Sequence, residues 1–460
     1  MSTRQEGTPS QSVRSRADLV GWIAAGAKPK PAWRIGTEHE KFVFYTDTLT
    51  PVPYAGERGI RALMECLIDR YGWEAINEGE NIIALKRPEG EAGGTISLEP
   101  GGQFELSGAA LADLHETAAE TQEHLNEVLD VGEDLGIGFL GLGFSPKWTL
   151  AETPRMPKER YAVMTRYMPR VGTRGLDMMY RTATIQVNLD FASEADMVRK
   201  LRVGLALQPI ATALFACSPF AEGAPNGFKS LRSEVWRDTD PHRTGMLPFV
   251  FEDGMGFERY VDYALDVPMY FVFRAGRYID AAGASFRDFL DGKLEQLEGE
   301  RPTLDDWSDH LTTLFPEVRM KRFLEMRGAD GGRWRRICAL PAFWVGLLYD
   351  EVALDAAWDL VKSWTAEERQ GLRDSVPRLA LAARFRDTTV AELARQALRI
   401  ARMGLIRRRR INPKSQDETI YLEPLIALAA SGKTVADELL ERYQGPWRGN
   451  IDHIFEEHAF

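Results

Sequence analysis

The chain has 460 residues, of which 44% are hydrophobic and 27% charged, a composition typical of a globular protein. Its formal net charge of −11 argues against nucleic acid or an anionic membrane surface as a general partner. Three cysteines are too few and too scattered for a disulfide framework or a zinc site, and they fit a reducing compartment.

No apolar run reaches the roughly 18 residues needed to span a bilayer, so we expect no membrane partner and a cytoplasmic location. Residues 1–16 are rich in Ser, Thr and Arg, as in a transit peptide, but they are few and lack an apolar region. We expect a disordered N-terminal tail over 1–16 and a single catalytic unit over 17–460.

Apolar spacing and turn residues predict a mixture of helices and strands. Helices are predicted at 15–25, 57–70, 111–135, 156–167 and 194–217. Strands are predicted at 33–44, 81–86, 94–98, 103–107, 137–144, 181–191 and 318–326. From about residue 286 the pattern is mainly helical. These elements indicate an α+β unit with a helical C-terminal part.

The first strand carries two carboxylates on one face. Successive strand side chains alternate between faces, so Glu38 and Glu40 lie about 7 Å apart on the same side. Like charges repel unless a cation or a proton lies between them. Glu99, Glu105 and Glu325 repeat the pattern later in the chain. Together the five glutamates suggest a cage of oxygen ligands for Mg²⁺, the ion that accompanies ATP.

Two further strands present polar faces. Glu105 follows a Pro-Gly-Gly turn, which lets the backbone approach a ligand closely. Gln186 and Asn188 alternate with apolar residues, and their amides suit a zwitterionic amino acid. Arg181 leads into that strand and could contact an anion. The alternative for each segment alone is an ordinary strand with one solvated face.

Arginines supply the opposite charge. Arg232 and Trp236 have i, i+4 spacing and meet on one face of a helix, where a guanidinium can bind a carboxylate or phosphate with two parallel bonds. Glu325 and Arg327 share a strand face and pair a metal-type ligand with a phosphate-type cation, as phosphoryl transfer requires. The alternatives are a surface ion-pair network for the first segment and an ion pair at a turn for the second.

Two apparent motifs do not fit their required context. The glycines at 136–141 match a dinucleotide fingerprint, but they follow a helix and open a strand, the reverse of the required order. Arg407–Arg410 closes a helix, where cations are favoured, in an acidic protein. Without a Walker-type phosphate loop, ATP binding requires another fold.

The joint order of these segments resembles that of the plant-type glutamate–cysteine ligases. The motifs that carry the resemblance are GTEHEKF (36–42), SLEPGGQFELSG (97–108), MPKERY (156–161), MMYRTATIQVNLDF (178–191), EMRGADGG (325–332) and ALPAFWVGLLYDE (339–351). The resemblance extends over nearly everything from about residue 30, more weakly after 365. It implies a glutamine-synthetase-like fold, in which a curved antiparallel sheet forms a funnel with helices outside.

The resemblance also implies a reaction and roles for residues. L-Glutamate, L-cysteine and ATP would give γ-glutamylcysteine, the first step of glutathione synthesis, through a γ-glutamyl phosphate. Two or three Mg²⁺ ions would be held by Glu38, Glu40, Glu99, Glu105 and Glu325. The catalytic candidates are Arg327 and Arg232. The substrate-binding candidates are Arg160, Arg181, Gln186, Asn188, Arg232, Trp236 and Tyr270.

The chain departs from the plant pattern at its cysteines. Cys338 matches one plant cysteine, but its partner position is Ala118, and the second pair falls near Ala281 and Gln296. Neither bridge can form, so we expect no plant-type thiol regulation, a bacterial cytosolic form, and a monomer or weak homodimer. The alternatives left open are a related ligase that uses another amine and a non-catalytic glutamate or nucleotide sensor.

Overall fold

The large sheet is the element on which the rest of the protein is built. The computed structural model describes residues 11–88 and 93–460. Its strands are β1 (Ile35–Tyr45), β2 (Glu74–Glu78), β3 (Asn81–Lys86), β4 (Thr95–Leu98), β5 (Phe104–Ser107), β6 (Ile137–Leu140), β7 (Thr184–Leu189), β8 (Phe220–Ala221), β9 (Ala224–Pro225), β10 (Thr244–Gly245), β11 (Phe271–Arg274), β12 (Arg277–Asp280), β13 (Phe315–Pro316), β14 (Val318–Met320), β15 (Leu324–Asp330), β16 (Arg384–Phe385) and β17 (Thr388–Thr389).

Within the described ranges, nine strands form one antiparallel sheet. Its order is β14-β15-β7-β1-β5-β4-β3-β2, and β6 pairs with the end of β1. The long β1 is central because its first half pairs with both β5 and β7 and its second half pairs with β6. This arrangement brings segments more than 140 residues apart in the sequence onto one sheet face.

Helices cover the sheet. They are α1 (Arg16–Ala24), α2 (Ile60–Tyr71), α3 (Leu114–Leu135), α4 (Glu159–Tyr167), α5 (Gly175–Arg181), α6 (Glu194–Phe215), α7 (Leu231–Val235), α8 (Phe257–Asp266), α9 (Phe286–Leu290), α10 (Leu304–Thr312), α11 (Trp334–Leu348), α12 (Glu351–Val361), α13 (Ala366–Leu379), α14 (Val390–Arg408), α15 (Glu423–Ser431), α16 (Val435–Gln444) and α17 (His453–Glu457).

Local sequence explains where the longer helices begin and end. The Asp113 side chain accepts hydrogen bonds from the first backbone N–H groups of α3, and Gly136 ends that helix with φ +63°. Ser193 caps α6 in the same way. The largest apolar core packs α6, α11 and α14 behind β7 and β15, and a second core packs α2 and α3 against β3–β6.

The predicted α+β class, with a large antiparallel sheet and surrounding helices, is confirmed. Helix bounds shift by a few residues from the sequence expectation, and β2 was not predicted. The predicted strand at 137–144 ends at Leu140. Within residues 11–88 and 93–460 no single helix is long and apolar enough to cross a membrane, although α11 and α12, which meet at 90°, have that length and composition together.

The N-terminal prediction divides into two parts. Residues 1–10 of the predicted tail lie outside the described residues. Ser12 pairs with Thr303, and the apolar side chain of Val13 is fully buried, so the tail prediction does not hold for 11–16. The single catalytic unit over 17–460 stays a prediction.

Candidate active site

A cleft of about 570 Å³ lies on the face of the sheet where β1, β5 and β7 meet α7 and β15. The sequence-predicted residues that line it are Glu38, Glu40, Glu99, Glu105, Gln186, Arg232, Trp236 and Arg327. Segments spread over almost 300 residues therefore converge on one place. The carboxylates and the arginines occupy different sides of the cleft.

We call Glu38, Glu40, Glu99 and Glu105 the acidic wall. Glu40 on β1 lies directly across from Glu105 on β5, and Glu38 shares their sheet face two residues earlier. Glu99 follows β4 in a tight turn, which the backbone closes with two hydrogen bonds of 3.0 Å to Gln103 and Gly102. Gly102 has φ +83°, a conformation that favours glycine, so the turn requires this residue.

Two carboxylates of this wall have raised pKa values. Burial, together with the charges of Glu99 and Glu105, raises the pKa of Glu40 well above its usual value. Burial and Glu105 raise the pKa of Glu99 to about 6. Among the described residues, Glu99 Oε1 is buried without a hydrogen-bond partner. The charged forms of Glu40 and Glu99 are therefore unfavourable in this wall.

These residues fit a magnesium ion through the chemistry of their donors. Mg²⁺ prefers oxygen ligands and is bound through one or two carboxylates, several waters and substrate phosphates. Within 11–88 and 93–460, no group of three or more His, Cys, Asp or Glu side chains is arranged to hold a metal ion. The structure thus provides carboxylates on one wall of an open cleft, and it does not build the closed cage of five glutamates expected from the sequence.

Glu325 lies away from the acidic wall. It does not line the cleft, and its fully buried carboxylate accepts hydrogen bonds of 2.7–3.2 Å from Arg319 and also pairs with Lys321 and Arg327. Burial alone would raise the pKa of Glu325, but these three cations hold it well below its usual value. A carboxylate so fully neutralised is a poor metal ligand, and its contacts position the arginines.

We call Arg232, Arg319 and Arg327 the basic wall. The Arg327 guanidinium donates to both Gln186 and Glu325, which fixes its plane against β7. Arg319 Nη1 donates to two backbone carbonyls at 2.6 and 2.9 Å, and its other nitrogens donate to Glu325. The arginine side chains of this wall are therefore held rigidly before any ligand arrives.

Arg232 differs from the other two arginines because one of its hydrogen-bond donors is unpaired within the described ranges. Its Nη2 donates to the Arg327 carbonyl at 3.0 Å, while its buried Nε has no hydrogen-bond partner among the described residues. The indole Nε1 of Trp236 is likewise buried and unpaired in that part of the chain. Burial lowers the pKa of Arg232 to about 10. Both residues line the cleft and bring unpaired donors next to it.

A buried aspartate holds α7 in place. Asp330 accepts hydrogen bonds from Ser230 Oγ at 2.6 Å and Ser218 Oγ at 2.7 Å. Ser230 also accepts the Ser233 N–H at 3.1 Å, which caps α7. The position of Arg232 therefore depends on β15, which also carries Arg327. Sequence reasoning missed Asp330, although it lies in the motif at 325–332 that also carries Glu325 and Arg327.

Four of the predicted substrate residues do not line the cleft. Asn188 is closest, because its amide donates to Glu38 Oε1 at 2.8 Å. Arg181 points to Asp177 and Glu222, at 2.6 and 2.7 Å. The Tyr270 ring lies 3.6 Å from the Arg243 guanidinium. These side chains are engaged with other protein groups.

The fourth, Arg160, is also held by protein groups. It is buried, and its guanidinium lies 5.4 Å from the Phe271 ring centre. The neighbouring Lys158 and Tyr161 both donate to the carbonyl of Leu98, at 2.8 and 2.7 Å, just before Glu99. The segment 156–161 therefore supports the turn that carries Glu99.

Several cleft residues were absent from the predicted site, among them Gln103, Thr184 and Arg319. Gln103 bridges Gly101 N and the Thr182 carbonyl, at 2.8 and 2.7 Å. The backbone N–H of Thr184 donates to Glu40 at 3.1 Å. Alternation along the strands places both side chains on the polar face, so this signal could have found them. Arg319 depends on the β14–β15 register, in which it lies opposite Glu325, and a single segment carries no sign of that pairing.

Comparisons with known proteins give a consistent result. Residues 34–457 match the model of glutamate–cysteine ligase family 2, GCS2. The chloroplastic glutamate–cysteine ligase of Nicotiana tabacum is 57% identical over 443 residues, covering 96% of this chain and 82% of the relative. The chloroplastic enzyme of Arabidopsis thaliana is 55% identical over 453 residues, covering 98% of this chain and 84% of the relative.

A solved structure supports the fold. The glutamate–cysteine ligase of Francisella tularensis in complex with AMP aligns with a TM-score of 0.52 over 93% of this chain and 87% of that chain. Its sequence identity is only 12%, so the likeness concerns the fold alone.

The location predicted from the sequence is wrong. The plant relatives are described as chloroplastic, which contradicts the expected cytoplasmic location. The prediction rested on the lack of a long apolar run, on the short N-terminal segment and on the cysteines, and none of these properties identifies a compartment. The three cysteines, Cys66, Cys217 and Cys338, are free in the structure.

Proposed function

Because the chain belongs to glutamate–cysteine ligase family 2, we propose that it joins the γ-carboxylate of L-glutamate to the amine of L-cysteine with ATP as co-substrate. The γ-carboxylate attacks the γ-phosphate of ATP and releases ADP, which leaves a γ-glutamyl phosphate. The cysteine amine then displaces phosphate and forms the amide of γ-glutamylcysteine. Phosphorylation is needed because oxide is a poor leaving group from a carboxylate.

One observation carries this proposal: the acidic wall and the basic wall line the same cleft. Phosphoryl transfer is catalysed mainly by positioning and by stabilising charge on the transferring group. The acidic wall, chiefly Glu40, Glu99 and Glu105, would hold Mg²⁺, which would neutralise phosphate charge when bound. The number of ions, two or three, is part of the proposal.

Arg327 is the proposed stabiliser of the transferring phosphoryl group. Its guanidinium is fixed by Gln186 and Glu325 and lines the cleft opposite the carboxylates. A group held in this way needs no reorganisation when negative charge develops on the phosphoryl oxygens. Glu325 orients Arg327; we assign it this role in place of metal binding.

Arg232 and Trp236 are proposed to bind a substrate carboxylate. Both residues line the cleft, and their Nε and Nε1 donors are buried and unpaired within the described ranges. A carboxylate satisfies two such donors at once. Asn188 would act through Glu38, while Arg160 would support the turn at Glu99. We propose no direct substrate contact for Arg181 or Tyr270.

The decisive experiment measures phosphate release from ATP with Mg²⁺ and L-glutamate, with and without L-cysteine, and identifies the product by mass. Cysteine-dependent release with γ-glutamylcysteine as product would support the proposal. Release that prefers another amine would leave a related carboxylate–amine ligase. Binding of ATP or glutamate without turnover would support a sensor. Size-exclusion chromatography tests the expected monomer or weak homodimer.

A further inference from the structure

Arg373 connects the C-terminal helices to the cleft. It lies on α13, far in sequence from the other cleft residues, and only 4% of it is exposed. Its Nη1 and Nη2 donate to the side chain and the backbone carbonyl of Ser233, at 3.0 and 2.9 Å. Its Nε donates to the carboxylate of Glu317, which is also buried. The guanidinium thus joins two separate segments.

The first of these segments carries Arg232 of the basic wall, and the second is hydrogen-bonded to Arg327. Ser233 is the residue after Arg232 on α7. The backbone carbonyl of Glu317 accepts the N–H of Arg327 at 3.2 Å. A smaller cavity of about 300 Å³ beside the cleft is lined by Arg232, Arg327 and Arg373 together. A shift of Arg373 would therefore displace both Arg232 and Arg327.

We propose that Arg373 is a positioning residue that sets the distance between Arg232 and Arg327. This inference rests on the proposed ligase function. The planar guanidinium donates in three directions in a fixed geometry, which lysine cannot reproduce. Misplacing a reacting group by about 1 Å costs about 100-fold in rate, so a small change at this junction has a large effect.

Arg373→Gln and Arg373→Lys test the inference in the full-length protein. Arg373→Lys keeps the charge beside Glu317 but loses the bonds to Ser233. We expect kcat to fall about 100-fold for Arg373→Gln and about 10-fold for Arg373→Lys. We also expect KM for the amino acid bound by Arg232 to rise in both variants. A purely structural loss would reduce the active fraction and leave KM unchanged.

Arg369 provides a matched control. It lies one turn earlier on the same helix, is 6% exposed, donates to the Trp364 carbonyl and packs on Phe251 at 3.4 Å, away from the cleft. Arg369→Gln should lower the thermal midpoint of unfolding and leave kcat and KM at wild-type values. If Arg369→Gln and Arg373→Gln changed KM and kcat equally, the positioning role would be overturned.

A double-variant cycle gives a second readout. If the ion pair of Arg373 with Glu317 acts as a unit, then Arg373→Gln combined with Glu317→Gln should be no slower than the worse single variant. Independent, multiplicative losses would contradict the inference. Should wild-type protein show no ligase turnover, the proposed function fails instead. Active wild type with an unaffected Arg373→Gln variant refutes only the positioning role.

Discussion

The two walls of the cleft differ in how their buried charges are balanced. The arginines of the basic wall are paired with protein acceptors, above all Glu325 and Gln186, and are fixed before substrates arrive. The acidic wall keeps its carboxylates close together, and burial raises the pKa of both Glu40 and Glu99. Arg319 and Arg327 are paired as folded, whereas a positive charge from outside would favour the charged forms of Glu40 and Glu99.

The two walls illustrate two ways of providing charge: the protein preorganises the arginines, whereas the carboxylates are expected to recruit a metal ion. A preorganised arginine stabilises developing charge without moving, which favours catalysis. Carboxylates with a raised pKa, such as Glu40 and Glu99, gain free energy when a cation binds, because desolvation and repulsion are then offset. The acidic wall should therefore control metal dependence, and the basic wall should control the rate of the chemical step.

The largest effect is expected for Glu40→Gln. The substitution removes a central charge of the acidic wall, so Mg²⁺-dependent turnover should fall at least about 100-fold. In metal-free buffer the variant should be as stable as wild type or more so, because the raised pKa of Glu40 shows that its charge is unfavourable there. Phosphate-release assays and thermal unfolding with and without Mg²⁺ measure both quantities.

Glu120→Gln is the control for that variant. Burial also raises the pKa of Glu120, to about 7, but this residue lies on α3, outside the cleft. Its substitution should leave turnover and the stabilisation by Mg²⁺ unchanged. A Glu40→Gln variant with near-normal turnover would remove Glu40 from the proposed metal site.

The second effect concerns the basic wall. Arg327→Lys loses the simultaneous hydrogen bonds to Gln186 and Glu325. We therefore expect kcat to fall about 100-fold at saturating Mg²⁺. Glu325 keeps Arg319 and Lys321, so the protein should remain folded. Arg336→Lys is the control, because Arg336 and Arg327 are each 9% exposed but Arg336 does not line the cleft. Equal losses of kcat in the two variants would contradict the role of Arg327.

The third prediction is a pH dependence of stability that Glu99 causes. Its pKa rises from 4.5 to about 6 on folding. A raised pKa means that Glu99 stabilises the fold below about pH 4.5 and loses that contribution as the pH rises through 6. The loss amounts to about 2 kcal/mol of unfolding free energy. In EDTA, Glu99→Gln should therefore gain stability relative to wild type between pH 4.5 and 7.5.

Denaturant unfolding of both proteins across this pH range measures the difference. With saturating Mg²⁺ the gain of the variant should shrink or reverse, because the ion then compensates the wild-type carboxylate. A difference that does not change with pH would show that Glu99 carries no unfavourable charge, and the contrast between the walls would lose its main support.

The acidic wall could be predicted more completely from the sequence than the basic wall. Strand alternation was enough to place Glu38, Glu40 and Gln186 on a polar face, because that pattern is local. The pairing of Arg319 with Glu325 depends on the register of β14 and β15, and local patterns do not encode register. Arg373 is 140 residues from Ser233 in the chain. Contacts of this kind arise only when the helices pack.

The smallest effect on activity is expected for Arg181→Gln, at a residue that does not line the cleft. Arg181 was expected to bind a substrate anion, yet its donors are taken by Asp177 and Glu222. Arg181→Gln should reduce the unfolding free energy by about 1–3 kcal/mol, because Asp177 loses one of its two arginine partners, while KM for all three substrates stays unchanged. Arg232→Gln should instead raise KM for one amino acid about 100-fold, since a bidentate carboxylate contact is lost. If Arg181→Gln raised a KM as strongly as Arg232→Gln does, the anion site would extend beyond the basic wall, and Arg232 would no longer be the arginine that defines it.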